Sequence, residues 1–210
     1  YVAHLQGKDN HSCTGFLVAP GWVMTAAQCL VHKPLTVILG AHTLQKKEES
    51  WQKFEVQEYH SHPAFTTPKK GNDILLLKLN GNATSTSHVR SISFDRAKVR
   101  GGAVCGTAGY RTPAGALWEA TVTIIKERDC LSHYPGLADH LICGRSSSAE
   151  VPGKVNQHSP LLSSTSQGSV GAPLVCNNKA CGIFSYRHNH WPGFYTHILP
   201  YLPWVNSVMR

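Results

Sequence analysis

Short apolar runs separated by turn residues dominate the chain. Pro-Gly pairs stand at 20–21 and 135–136, and a Gly-Gly pair stands at 101–102, each between two such runs. Runs of this length bounded by glycine and proline are typical of strands. The pattern predicts an all-β barrel or sandwich. The runs are 16–19, 35–39, 54–56, 74–79, 121–125, 173–176 and 182–186.

One helix is predicted, at the end of the chain. Leu202, Val205 and Met209 recur at helical spacing. Pro200 and Pro203 fall near its start, where proline is tolerated. The sequence has no run of 18 apolar residues, so no transmembrane helix is predicted.

Three segments contain motifs of a known catalytic apparatus. Thr-Ala-Ala-Gln-Cys stands at 25–29, Asn-Asp-Ile-Leu-Leu-Leu at 72–77, and Gly-Ser-Val-Gly-Ala-Pro-Leu at 168–174. They resemble the segments of chymotrypsin-type serine proteases that supply the general base, the triad carboxylate and the nucleophile. Further matches follow in family order. They lie at 12–24, 185–187, 192–196 and 199–210.

The resemblance implies a triad that has lost two members. Gln28 stands where the family has its histidine base, and an amide does not exchange a proton near neutral pH. Val170 stands where the family has its serine, and valine has no hydroxyl to attack a carbonyl. Asp73 keeps the carboxylate position, although the imidazole it would orient is absent. We therefore expect no protease activity.

Other parts of the implied machinery also depart from the family pattern. Ser169 replaces the aspartate that pairs with the new N-terminal amine on activation, while Gly168 keeps the position of the oxyanion-hole donor. Segment 143–170 is longer than expected and rich in Ser, Pro and Gly, which predicts a remodelled loop and a degraded specificity pocket. Arg187 replaces a small residue, and two interpretations stay open: a surface arginine in a shifted loop, or a side chain that fills the old cleft.

The resemblance turns the all-β prediction into a specific architecture. It implies two six-stranded antiparallel β-barrels with a C-terminal α-helix, forming one homology domain over 1–210 with a barrel boundary at roughly 90–105. The spacing of the motifs and Leu-Gly-Ala-His at 39–42 point to the granule branch, which comprises granzymes, chymases, cathepsin G and azurocidin. Azurocidin is a catalytically inactive member of that branch.

The chain has seven cysteines, and six of them fit the family's disulfides: Cys13–Cys29, Cys105–Cys176 and Cys130–Cys143. Six cysteines allow 15 pairings, and the resemblance selects this one. Cys181 is left over, either as a buried free thiol or as the origin of an interchain disulfide.

The cysteine content also bears on the compartment. Disulfides predict a secreted or granule protein rather than a reduced cytosolic one. Sequons at Asn10 and Asn82 agree with secretion. Tyr1 opens into strand-like sequence without a signal-peptide pattern, so we expect a mature or trimmed chain.

Positive charge is the main indication of what the protein binds. The formal net charge is +8 and the isoelectric point is about 9.2. Such a charge attracts polyanions and anionic membranes, and screening by salt weakens this attraction. Any one cluster can also be ordinary solvated surface. The candidate contributors are Lys46, Lys47, Lys69, Lys70, Arg96, Lys98, Arg100, Lys126 and Arg128.

The thirteen histidines raise the question of a metal site. His60 and His62, or His188 and His190, could each place two imidazoles on one side of an extended segment. No Cys-x-x-Cys or His-Glu-x-x-His motif joins them, so surface histidines are the simpler interpretation and no cofactor or metal is predicted. An alternative catalytic nucleophile is the least favoured option.

Two functions follow from these patterns. The first is a secreted, non-catalytic homologue that binds heparin-like glycosaminoglycan or anionic microbial surfaces in innate immunity. The second is an interaction subunit or decoy whose remodelled cleft binds a protease, receptor or inhibitor. Sequence-specific nucleic-acid binding is not expected, because the chain shows no stacking platform or reading motif.

Overall fold

Two closed barrels account for almost all of the regular structure in the computed structural model. The structure describes residues 1–111, 115–146, 169–187 and 192–210. In the first barrel the strand order is β1-β2-β3-β6-β5-β4, and every neighbouring pair is antiparallel. Its strands are β1 Val2–Gln6, β2 Ser12–Ala19, β3 Trp22–Thr25, β4 Thr36–Leu39, β5 Gln52–Ser61 and β6 Leu75–Leu79.

The second barrel repeats this arrangement with the order β10-β11-β12-β9-β8-β7, again antiparallel throughout. The fold class predicted from the sequence is therefore confirmed. The connection between the barrels runs from the end of β6 to the start of β7, and the predicted boundary at roughly 90–105 overlaps its second half. The strands are β7 Val104–Tyr110, β8 Leu117–Ile124, β9 Leu141–Ser146, β10 Pro173–Cys176, β11 Lys179–Arg187 and β12 Gly193–His197.

Burial explains why these runs form strands. β6 lies between β3 and β5 and is largely buried, with Leu75, Leu76 and Leu77 at 0% exposure, which matches its mostly apolar sequence. β5 instead alternates between half-buried and exposed positions over much of its length, so only one of its faces packs on the core. Phe16 and Met24 fill the same core from β2 and β3.

The described residues contain two short α-helices. The C-terminal helix α2, Leu202–Val208, follows a 3-10 turn at Leu199–Tyr201 and buries Leu202 and Val205, as the spacing predicted. Helix α1, Glu127–His133, was not predicted. Among the described residues neither helix has the length and apolarity needed to cross a bilayer.

His4 makes the stability of the first barrel sensitive to acid. Its ring is 8% exposed and packs edge-on against Tyr110, with the ring centroids 5.6 Å apart. Burial lowers the pKa of His4 from 6.5 to about 4, so the unfolded chain takes up a proton at this histidine at a higher pH than the folded protein.

We expect this difference to remove stability as the pH falls from about 6.5 to about 4, with a total cost of roughly 3 kcal/mol for His4 alone. His4→Phe keeps an aromatic ring but cannot titrate, so its unfolding free energy should fall less between pH 7 and pH 4.5. Urea unfolding at the two pH values measures the difference. Equal losses of unfolding free energy in both proteins would show that protonation of His4 does not cause the loss.

Candidate functional site

The site lies where segments of both barrels meet. Gln28 is in a 3-10 helix, Ala27–His32, directly after β3 of the first barrel. Asp73 directly precedes β6 of the same barrel, and Ser185 lies in β11 of the second barrel. Hydrogen bonds bring these three residues together although they are far apart in sequence.

Gln28 is bound to Asp73 through both its side chain and its backbone. The side-chain Nε2 donates to Asp73 Oδ2 at 2.6 Å, and the backbone N–H donates to Asp73 Oδ1 at 3.0 Å. Nε2 also donates to the carbonyl oxygen of Ser185 at 2.7 Å. The two donor positions of the amide nitrogen therefore have acceptors from two barrels. The amide fills the place beside Asp73 where the family has an imidazole.

Asp73 is completely buried, at 0% exposure. Burial raises the pKa of its carboxyl group above the ordinary value, because the charged form is desolvated. Hydrogen bonds from Ser185 and Gln28 oppose that rise, and the Ser185 Oγ to Asp73 Oδ2 distance is 2.5 Å. The carboxylate is thus stabilised by several donors, all of which come from the protein itself.

A second layer of contacts fixes the backbone at Asp73. Thr196 Oγ1 donates to the Asp73 carbonyl oxygen at 3.2 Å, and Tyr201 Oη donates to Asn72 Oδ1 at 2.8 Å. Asn72 has a φ of 60°, a left-handed conformation that asparagine tolerates better than most residues. Ser185, Thr196 and Tyr201 could not be linked to Asn72 and Asp73 from the sequence, because only the fold brings them together.

Val170 is in the loop before β10 and packs against the cores of both barrels. Its carbonyl oxygen accepts from the backbone N–H of Thr14, which ties this loop to the first barrel at 2.9 Å. Gly171, with φ of 89°, follows it, and a Cβ there would clash with Thr14 O and Thr25 Oγ1. Ser169 is 8% exposed, so the position of the family's aspartate is buried. Gly168 and most of segment 143–170 lie outside the described residues.

The chemistry open to this arrangement follows from its groups. Valine has no nucleophilic atom, and the glutamine amide neither takes up nor releases a proton at neutral pH. Asp73 is the only carboxylate among these residues, and it is buried under its donors. The Asp73 carboxylate is therefore held by hydrogen bonds within the protein, and the side chains at residues 28 and 170 supply neither a base nor a nucleophile.

Arg187 lies at the end of β11 with its side chain directed onto protein. Its guanidinium lies over the Phe184 ring, 5.8 Å from the centroid, and burial lowers its pKa. One of its terminal nitrogens is 3.8 Å from the point where a Cβ on Gly193 would stand. This packing is what the cleft-filling interpretation of Arg187 requires, whereas a solvated surface arginine would lie away from these residues.

The nine candidate cations are all exposed. The described residues contain one ion pair within 4.0 Å, between His60 and Glu58, so none of the nine candidates is neutralised by a carboxylate there. Lys46 and Lys47 lie in the β4–β5 connection, and Lys69 and Lys70 in a 3-10 turn. The segment 96–100 forms no strand, and of its three cations Lys98 and Arg100 line a groove that Arg96 does not line. Lys126 and Arg128 are at the start of α1.

The structure forms the disulfides Cys13–Cys29, Cys105–Cys176 and Cys130–Cys143, which are those that the resemblance implies. Cys181 is a free thiol at 1% exposure, and its Sγ lies 2.7 Å from Cys176 Sγ. Burial raises the pKa of Cys181 to about 12. An interchain disulfide needs an accessible thiol, so the structure favours the buried free thiol.

The histidine pairs do not form a metal site in the described residues. His60 Nε2 bonds to Glu58 at 2.8 Å, while the His62 ring packs against Tyr201 and Trp204. His188 and His190 lie outside the described residues. The one cluster of three possible ligands in that part of the chain is Cys105, Cys176 and Cys181, and two of these are joined in a disulfide. Asn10 and Asn82 are both exposed, as glycosylation requires.

Comparisons with known proteins agree with this geometry. The family model described as Trypsin matches residues 1–205. Granzyme F of Mus musculus is 39% identical over 218 residues, covering 97% of this chain and 83% of that protein. Granzyme E of Mus musculus is 34% identical over 228 residues, covering 100% of this chain and 86% of that protein. A solved structure, "Structure of GrC", superposes with a TM-score of 0.84 at 31% identity, covering 100% of this chain and 93% of that one.

Proposed function

The chain belongs to the trypsin family of serine proteases, and on that premise we propose that it is a catalytically inactive member that works by binding. The observation that carries the proposal is the bonding of Gln28. Its amide uses its donors on Asp73 and Ser185, in the place where a base would have to exchange protons. The remaining catalytic carboxylate therefore serves to hold the two barrels together.

The nucleophile position supports the same conclusion. Val170 offers only methyl groups, which pack against both cores instead of facing a substrate. Acyl transfer needs a nucleophile and a base within hydrogen-bond reach of each other. This chain has neither at the family positions.

Charge supports binding to polyanions. Nine exposed cations make no ion pair with a carboxylate of the described residues, and the whole chain has a formal net charge of +8. Sulfated glycosaminoglycans and anionic microbial surfaces present the dense negative charge that such a surface attracts. We propose heparin-like glycosaminoglycan or an anionic microbial surface as the ligand, with a role in innate immunity.

The compartment proposed is the secretory granule or the extracellular space. Three disulfides need an oxidising environment during folding. The two relatives reported above are granzymes, a name that refers to secretory granules. This chain is 39% identical to the first and 34% identical to the second.

Heparin chromatography tests the binding proposal. We expect retention at pH 7.4 beyond about 0.15 M salt, because unpaired surface cations act together on a polyanion until salt screens them. Elution should come somewhat later at pH 5.5. Histidine side chains that gain a proton add to the positive charge, and burial opposes this at His197 and His62, whose pKa it lowers. Flow-through at physiological salt would contradict the proposal.

A decoy that binds a protein partner through the cleft is the second candidate. Arg187 packs against Phe184, in a position where the family has a small residue that leaves room for substrate. The large side chain therefore gives this part of the cleft a different surface. This function predicts binding that varies little with salt and that weakens on Arg187→Ala. Pull-down from granule extract at two salt concentrations separates it from the polyanion function, whose complexes should dissociate at high salt.

A further inference from the structure

The second barrel carries a groove on the side of α1. Its volume is about 780 Å³, and it is bounded by the segment 98–101, by α1 with the chain that follows it, and by residues 197–200 before α2. None of the triad positions lines it. Its volume is in the range of sites that enclose a single small ligand.

The floor of the groove is apolar. Ile124 and Ile142 form part of it and belong to the core of the second barrel, at 5% and 7% exposure. Leu131 of α1 also lines it and is 43% exposed, which is unusual for a leucine in this protein. An apolar surface of this kind is stabilised by covering it with hydrocarbon.

The rim of the groove is cationic. Lys98, Arg100 and Lys126 line it, and no carboxylate of the described residues lies within 4.0 Å of their nitrogens. Glu127, Asp139, His140 and His197 line it as well, so the lining has three Lys or Arg cations and two carboxylates besides two histidines. The stem of Lys126 packs against the backbone at Gly101, which holds this lysine at the edge.

Further positive charge lies beside the groove. Ala138 lines it, and the Cβ of Ala138 is 3.2 Å from the point where a Cβ on Gly71 would stand. Lys69 and Lys70 immediately precede Gly71 and are exposed. These lysines add positive charge to the segment that adjoins the groove at Ala138.

We infer that this groove binds a single-chain anionic amphiphile. The hydrocarbon chain of the ligand would lie on the floor formed by Ile124 and Ile142, and the carboxylate of the ligand would lie at Lys98, Arg100 and Lys126. The inference rests on the proposed anion-binding function, and it gives this groove an acylated ligand beside the polyanion proposed for the basic surface as a whole. A sulfated glycan has no hydrocarbon to cover this floor, and its additional charges would meet Glu127 and Asp139. A bilayer is a flat surface, whereas the groove is concave.

Isothermal titration with palmitate tests the inference. The double variant Lys98→Glu/Lys126→Glu should bind palmitate roughly tenfold more weakly than the wild type, because two charge-assisted contacts are lost. Lys46→Glu/Lys47→Glu makes the same change in net charge away from the groove and should bind palmitate as the wild type does. Equal weakening in both variants, or no palmitate binding by the wild type, would overturn the inference.

A second variant separates the groove from the general polyanion function. Leu131→Gln keeps the net charge and changes an exposed position, so the fold should tolerate it. It should weaken palmitate binding and leave heparin elution unchanged. Heparin retention without palmitate binding would refute only the ligand proposed for the groove. Palmitate binding without heparin retention would refute only the glycosaminoglycan proposal. Binding to phosphatidylglycerol vesicles without binding to palmitate would assign the surface to a membrane and also refute the groove.

Discussion

Gln28→Glu is expected to destabilise the folded protein by roughly 3 kcal/mol at pH 7, because it removes one side-chain donor to a buried carboxylate and adds a second negative charge beside it. The Gln28 Nε2 lies 2.6 Å from Asp73 Oδ2 and 2.7 Å from the Ser185 carbonyl oxygen. A glutamate carboxylate at that point would face a carboxylate and a carbonyl, both of which are acceptors. Urea unfolding at pH 7 measures the loss.

The pH dependence identifies the cause. Burial already raises the pKa of Asp73, and a neighbouring carboxylate raises it further. The folded variant would then hold a shared proton at a higher pH than its unfolded chain, so its deficit relative to the wild type should shrink as the pH falls.

Gln28→Met is the matched control for this experiment. It has a similar length and no charge, so it should lose only the hydrogen bonds, at a cost of about 1–3 kcal/mol that changes little with pH. If Gln28→Glu were as stable as the wild type at pH 7, Gln28 would not be the structural partner of Asp73 that its bonding indicates.

The second large effect concerns catalysis. We expect the wild type to show no hydrolysis of peptide thioesters and no labelling by fluorophosphonate, because triad loss in serine proteases costs about 10⁶-fold in kcat. Val170→Ser alone should also remain unlabelled, because Gln28 cannot accept the hydroxyl proton. Any labelling should appear first in Val170→Ser/Gln28→His, where an imidazole would lie beside Asp73.

A related active granzyme in the same assay controls for the reagents, and unfolding of each variant controls for its fold. Labelling of the wild type, located by peptide mapping, would show that another residue of this chain is nucleophilic. Labelling of Val170→Ser at the same rate as the double variant would show that a base other than residue 28 serves the site. Either result would contradict the proposal of an inactive member.

Gln28, Asp73, Ser185 and Val170 make interactions that stabilise the structure. Gln28 and Ser185 donate to one buried carboxylate from opposite barrels, and Val170 packs against both cores. Buried polar groups are costly unless they are satisfied, so the retained Asp73 requires these partners. The residues at the family's catalytic positions here make contacts that stabilise the fold, and under the proposed function binding is assigned to the charged surface.

The sequence predicted the barrels better than it predicted the helices. Buried strands such as β6 have mostly apolar sequence, and ordered family motifs specified the number of strands and the closure of the barrels. Helix α1 was missed because it has seven residues and buries only Cys130, which gives no apolar periodicity to detect. Its packing depends on the disulfide from Cys130 to Cys143 in β9, a contact that local sequence does not encode.

The sequence by itself determined which chemical groups the protein has. Valine lacks a hydroxyl and glutamine lacks a titratable nitrogen in any fold, so the missing groups at residues 170 and 28 were readable from their identities. Tertiary structure decided what those residues do instead, because Gln28 meets Asp73 45 positions away and Ser185 157 positions away. It also decided that Lys98, Arg100 and Lys126 share one groove with an apolar floor. Side-chain chemistry is a property of each residue, whereas proximity arises only when distant segments pack together.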